Sequence, residues 1–128
     1  MASQIVYRPR HIKGYVHMGQ IGVLLEVATN YGDTTFNLRK VKEFMRDMVL
    51  HIAASAPADL EDLLTQPFIK DQSKTVQDLV FEIKDYTKDR FDIIRFVRWD
   101  TEIEPPNEFD EPEPPHDPAI ALKLSVVK

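Results

Sequence analysis

The sequence has 128 residues, enough for one hydrophobic core and too few for two, so we expect a single domain with appendages. It contains no cysteine, which excludes a disulfide framework, a thiolate metal site and a thiol nucleophile. No apolar run approaches the roughly 20 residues that span a bilayer, and the first ten residues lack the apolar segment of a signal peptide. We therefore expect a cytoplasmic protein.

The net charge of -5 is concentrated near the carboxyl terminus. Residues 1–100 carry 14 Lys and Arg against 14 Asp and Glu, whereas residues 101–118 carry seven acids and no base. The body of the chain thus lacks the basic patch that nucleic-acid-binding proteins present. Neither a nucleic acid nor a membrane is expected as a partner.

Two alternating segments predict a β-hairpin near the amino terminus. In the first segment one side of the strand carries Ile12, Gly14, Val16 and Met18. In the second segment one side carries Ile21, Val23, Leu25 and Val27. Gly19 lies between the two segments and suits a tight turn.

A helical period follows the hairpin. Its apolar stripe consists of Leu38, Val41, Phe44, Met45, Met48, Val49, Ile52 and Ala53. Asn37 is the predicted amino-terminal cap of this helix, and Pro57 ends it. The acidic segment "PADLEDLL" predicts a further turn or two of helix before Pro67.

A second amphipathic helix opens at Ser73 or Thr75, with Val76, Leu79, Val80 and Ile83 on one side. The segment "FDIIRFVRWD" then predicts a strand, because it is rich in aromatic and β-branched residues. The element order favours an α+β fold, a three-stranded antiparallel sheet with helices packed on one face, in which every apolar stripe is buried. We assign this domain to residues 1–100.

Residues 101–118 hold six of the nine prolines and predict an extended acidic linker. In the last segment, residues 119–128, Ile120, Leu122, Leu124 and Val126 alternate with smaller or polar residues and predict a strand. This strand would pair with an edge of the same sheet or with an edge of a partner's sheet. Self-association through a sheet edge is a further expectation.

No enzyme motif is present. The four histidines, His11, His17, His51 and His116, are scattered, and no cofactor or metal site is expected from them. Asp47 and His51 share a helix face, but such a pair is more often a solvated contact than an acid/base dyad. The residues favour a binding or regulatory domain over an enzyme.

Three ordered segments resemble bacterial translation elongation factor Ts, the guanine-nucleotide exchange factor of elongation factor Tu. They are "GYVHMGQIGVLLEV" (residues 14–27), "MVLHIAASAP" (48–57) and "LLTQPFIKDQSKTVQDLV" (63–80), the last followed by "IIRFVRWD". The resemblance covers roughly residues 12–100 and implies binding to elongation factor Tu. The chain departs from the family's pattern in lacking the ubiquitin-associated-like amino-terminal domain and in shortening the helical insertion after "HIAASAP". We therefore expect the family's core, or dimerisation, domain alone.

The resemblance also implies site residues. The family carries a Thr-Asp-Phe motif after the second strand, whose Asp and Phe loosen the grip of elongation factor Tu on GDP. Here the loop reads "ATNYGDTTF", so Asp33 and Phe36 are the nearest equivalents, and Tyr31 is a second candidate for the aromatic role. From the residues alone, the same loop reads as a turn in which Gly32 adopts positive φ and Phe36 packs at the helix start.

Two histidines lie within the resembling motifs. His17 corresponds to a hairpin histidine that contacts elongation factor Tu in the family, or else is an outward-facing residue with no partner. His51 corresponds to the family's helix histidine and is interpreted as a satisfied helix-end residue stabilised by the helix dipole. A divergent domain without exchange activity, acting as a structural or assembly module, remains the alternative function.

Overall fold

The computed structural model describes residues 7–103. Its main sheet has three antiparallel strands in the order β1, β2, β5, with bounds Arg10–His17 (β1), Ile21–Ala28 (β2) and Asp92–Asp100 (β5). A two-stranded hairpin of Pro67–Phe68 (β3) and Asp71–Thr75 (β4) lies apart from this sheet. The predicted α+β class and three-stranded antiparallel sheet are confirmed, and the small hairpin is an addition to them.

Four helices complete the fold: Asp33–Phe36 (α1), Arg39–Ser55 (α2), Leu60–Thr65 (α3) and Val76–Thr87 (α4). The inner face of the sheet and the apolar sides of α2 and α4 form one core. Its largest fully buried side chains include Phe91, Leu25, Met48, Ile52 and Leu63. Phe91 packs edge-on against the ring of Phe44, so the entry to the last strand is fixed against the central helix.

The ends of α2 and α4 follow the predicted local chemistry at two of three positions. The hydroxyl of Thr75 accepts the amide of Asp78, whose carboxylate accepts the amide of Thr75, so a capping box starts α4. Helix α2 ends at Ala56 in the left-handed conformation, just before Pro57. The predicted cap at Asn37 is wrong, because Leu38 holds the capping position and Asn37 ends α1 instead.

The expectation that every apolar stripe is buried is also wrong. Cross-strand pairing places Gly14 of β1 beside Leu24 and Leu24 beside Val97, on the face turned away from the helices. That outer face leaves a set of large apolar side chains between 40% and 76% exposed: Ile12, Val16, Leu24, Val97 and Trp99. Helices cover only one face of the sheet, so the side chains on the other face meet solvent.

The chain turns after β5, where the amide of Ile103 donates to the carbonyl of Asp100 at 3.1 Å. The predicted linker beyond residue 103 and the predicted strand at residues 119–128 lie outside the described residues. Within residues 7–103, no helix is long and apolar enough to cross a membrane.

Candidate functional site

The loop after β2 is a compact turn that leads into a single turn of helix. The amides of Thr35 and Phe36 both donate to the carbonyl of Gly32 at 2.9 Å. The amide of Asn37 donates to the backbone carbonyl of Asp33 at 2.9 Å. These bonds close α1 directly behind the turn. The segment is therefore an ordered, hydrogen-bonded structure rather than an irregular connection.

The buried carboxylate of Asp89 holds this loop from beneath. One of its oxygens accepts the amide of Asn30 at 2.9 Å. The other accepts the amide of Tyr31 at 3.2 Å and the hydroxyl of Thr35 at 2.5 Å. Because Asp89 is only 6% exposed, three donors from one loop converge on one desolvated charge and fix the loop's backbone.

The ionisation of Asp89 follows from these contacts. Burial by itself raises the pKa of a carboxyl group, but the hydrogen bonds from Thr35 and from the loop amides outweigh it. The pKa of Asp89 therefore lies below its ordinary value, and the group is a carboxylate at neutral pH. The charged form is the one that can accept all three donors.

Gly32 is required by the shape of this turn. Its φ of 58° and ψ of -127° form a combination that residues with a Cβ rarely adopt. A Cβ built there would also lie 3.2 Å from two side-chain carbons of Pro9. The amide of Gly32 donates to the buried hydroxyl of Thr29 at 3.0 Å, so the turn is anchored on both sides.

Arg8 ties the same loop to the start of β5. Its guanidinium donates to the side-chain oxygen of Asn30 at 3.2 Å and to the carboxylate of Asp92 at 2.8 Å. It also donates to the carbonyls of Ala28 and Arg90 at 3.2 and 2.8 Å. Sequence reasoning missed both Arg8 and Asp89, because their partners are 20 to 84 residues away along the chain.

The predicted loop residues have different environments. Tyr31 is 60% exposed and Asp33 is exposed, so both present their side chains to solvent. Phe36 is only 6% exposed, belongs to the hydrophobic core and packs its ring 4.9 Å from that of His11. In this conformation Phe36 offers almost no surface to a partner, and Asp33 and Phe36 do not form an exposed pair.

His17 lies at the other end of the sheet. It pairs with Ile21 at the tip of the hairpin and is exposed, and its Nδ1 lies 2.8 Å from the hydroxyl of Tyr15. The loop leaves β2 after Ala28, seven residues beyond Ile21, which corresponds to roughly 24 Å along a strand. The structure therefore separates His17 from the loop residues instead of gathering all four candidates into one site.

His51 is fully buried and has a structural set of contacts. Its Nδ1 accepts the amide of Ile69 at 3.3 Å, which assigns the proton to Nε2, 2.8 Å from the side-chain oxygen of Gln66. Burial lowers the pKa of His51, and the bond to Gln66 opposes that effect only in part. His51 is thus a satisfied residue, but burial favours its neutral form, so stabilisation of a cation by the helix dipole is not its role.

Asp47 and His51, which share a face of α2, have separate partners. Asp47 forms an ion pair with Lys70 at 3.1 Å, while the ring of His51 is turned to Gln66 and Ile69, so the two do not form a dyad. Among residues 7–103 there is no group of three or more His, Asp or Glu side chains that could hold a metal ion.

The fold and site define a class of protein: a small α+β domain that presents a braced polar loop at one end of its sheet and a histidine-tipped hairpin at the other. A scan against protein-family models finds no match. Curated relatives nevertheless share one name. An elongation factor Ts of Rubrobacter xylanophilus is 31% identical over 137 aligned positions, covering 70% of this chain and 69% of the relative. One from Alkaliphilus oremlandii is 28% identical, covering 70% of this chain and 62% of the relative.

The chain therefore belongs to the elongation factor Ts family. An elongation factor Ts of Trichlorobacter lovleyi is 36% identical over 81 residues, which is 62% of this chain and 25% of that relative. The chain thus spans a quarter of that protein and less than two thirds of the Alkaliphilus protein. The alignment with the Rubrobacter protein has 137 positions, but 70% of 128 residues is only about 90, so the relative carries inserted residues within the aligned region.

Proposed function

We propose that this protein binds elongation factor Tu and promotes the release of GDP from it, acting in the cytoplasm during translation elongation. The observation that carries the proposal is membership of the elongation factor Ts family, supported by the intact hairpin motif around His17. The domain performs no covalent chemistry in this proposal. It is a binding protein rather than an enzyme.

The mechanism is a thermodynamic linkage. A factor that binds nucleotide-free elongation factor Tu more tightly than the GDP-bound form lowers the affinity for GDP by the same factor. Release of GDP then needs only a surface that fits one conformation of the partner better than the other. Rigid elements serve such discrimination best, and Asp89 and Arg8 supply that rigidity to the loop.

The proposed contact surface has two parts. At the hairpin tip, His17 is exposed and its ring is oriented by Tyr15. At the far end of the sheet, Tyr31 supplies an exposed aromatic ring and Asp33 an exposed carboxylate at the start of α1. Aromatic side chains contribute much of the binding energy at many interfaces. Of the two loop residues, Tyr31 is therefore a stronger candidate than Asp33 for a contact with the partner.

A binding assay tests this proposal. Purified full-length protein is titrated with elongation factor Tu in the presence and absence of GDP, and tighter binding is expected without the nucleotide. His17→Ala and Tyr31→Ala are each expected to weaken binding by about 10-fold or more, as loss of an interface anchor does. Phe81→Ala is the matched control, because Phe81 is also an aromatic residue about half exposed, and it lies on α4, which contributes to neither part of the proposed surface. Failure to detect a complex both with and without GDP would refute the proposal.

The alternative is a family member that keeps the fold as an interaction or assembly module without exchange activity. The observation that favours it is the burial of Phe36, since no adjacent Asp and Phe side chains project from this loop. On this reading the partner is bound but its nucleotide is not displaced.

Release of labelled GDP from elongation factor Tu separates the two functions. Exchange activity predicts release that accelerates with added protein and is reduced by Tyr31→Ala. If the protein is an interaction module without exchange activity, we expect a stable complex with elongation factor Tu and an unchanged rate of GDP release. Asp33→Asn tests the loop's charge in the same assay, with Asp85→Asn on the exposed side of α4 as its control.

A further inference from the structure

The outer edge of β5 is open in the described part of the chain. Within residues 7–103, β5 pairs only with β2, so the backbone groups on its other side have no strand partner. Five consecutive β5 residues, 94–98, line a groove of about 480 Å³ along this edge. The opposite wall is the segment from Pro57 to Leu60, which joins α2 to α3.

The groove has the properties of a strand-binding site. Open strand edges attract further strands, and β5 is long and rich in aromatic and β-branched residues. Its wall contains the half-buried side chains of Phe96 and Ile94, with Leu60 and Pro57 facing them. An amphipathic strand would satisfy the edge backbone and bury one apolar side in the groove.

We propose that the chain's own carboxyl-terminal segment, residues 119–128, occupies this groove as a fourth strand beside β5. Four of its five large apolar residues, Ile120, Leu122, Leu124 and Val126, occur at every second position, so they share one side of a strand. That side enters the groove, and the side with Ala121 and Ser125 faces outward.

The covalent connection favours this occupant over a second copy. Strands that follow one another along the chain usually lie side by side, and β5 is the last strand before this segment. Residues 104–118 supply 15 residues, which span about 45 Å in an extended proline-rich conformation. The nine residues of β5 span only about 30 Å, so the linker reaches either end of the groove.

Amide hydrogen exchange of the full-length protein tests the proposal. Unsubstituted protein is compared with the double variant Leu122→Asp/Leu124→Asp, which places two charges on the apolar side. The matched control is Ala121→Asp/Ser125→Asp, which adds the same two charges to the other side. We expect the free-edge amides of β5 to exchange at least about tenfold faster in the first variant, with the control unchanged.

Equal exchange of the free-edge amides of β5 in all three proteins would overturn the proposal. Protection that disappears on dilution would also overturn it, since the segment would then come from a second molecule. These measurements do not involve elongation factor Tu, so their outcome is independent of the proposed function.

Discussion

At the scale of single residues, the most informative side chains are those that hold the loop rather than those exposed on it. Asp89 accepts hydrogen bonds from three donors, and Gly32 adopts a backbone conformation that residues with a Cβ rarely adopt. Both residues are buried, and neither would contact a partner directly. Their role is to position Tyr31 and Asp33.

Replacing Asp89 by Asn is expected to destabilise the protein by about 1–3 kcal/mol, because the amide nitrogen cannot accept the donors that reach the second carboxylate oxygen. Urea denaturation at pH 7 measures this change. Asp85→Asn removes the same charge from an exposed position and should change stability by less than about 0.5 kcal/mol. An equal change in the free energy of unfolding for the two substitutions would show that Asp89 does not stabilise the loop.

At the scale of elements, one side chain joins the last strand to the central helix. Arg98 of β5 donates from Nε and Nη2 to the carbonyl of Ala53 at 3.1 and 2.9 Å. This carbonyl lies in the last turn of α2, where backbone acceptors lack partners and positive charge is favourable. The contact therefore fixes the end of α2 against the inner face of the sheet.

Arg98→Met, which keeps the apolar stem and removes the donors, is expected to lower the free energy of unfolding by about 1.5–3 kcal/mol, the usual range for a hydrogen bond to a charged group. Thermal unfolding followed by circular dichroism would show a lower melting temperature. Arg39→Met is the control, since the side chain of Arg39 is 90% exposed and forms only a surface pair with Glu43. A melting temperature lowered as much by the control would contradict this assignment.

At the scale of the whole molecule, stability should depend on pH in two steps. The pKa of His51 is lowered in the folded protein, so the unfolded chain takes up its proton first as pH falls below about 6.5. The pKa values of Glu26, Asp89 and Asp92 are also lowered, so the unfolded chain again binds protons first near pH 4. In both ranges the unfolded state binds more protons, and stability therefore decreases as pH falls.

Urea denaturation between pH 8 and pH 3 checks this expectation. The free energy of unfolding should decline modestly below about pH 6.5 and more steeply near pH 4. In His51→Gln the second decline should persist while the contribution of His51 to the first is lost. The comparison uses the slope against pH, because the substitution itself lowers stability. If the free energy of unfolding declines with the same slope below about pH 6.5 in both proteins, groups other than His51 cause that decline.

Much of the fold was predictable because its signals are local. The apolar stripe of α2, the capping residue Thr75 and the glycine turn at Gly19 each act over a few neighbouring residues. The site was less predictable, because sequence proximity does not report which side of an element faces the core. Phe36 illustrates this, since the resemblance implies a partner contact and the residues alone predict packing at the helix start, and only the tertiary structure shows that its ring is buried.

The sequence by itself determined the order of the elements, the α+β class and the resemblance to elongation factor Ts, because hydrophobic period and ordered motifs are properties of the chain. Only the tertiary structure decided that the apolar side of β1 faces solvent, that His17 and the loop lie at opposite ends of the sheet, and that Asp89 braces that loop. These facts depend on strand register and on contacts between distant residues. Local propensity carries no information about either.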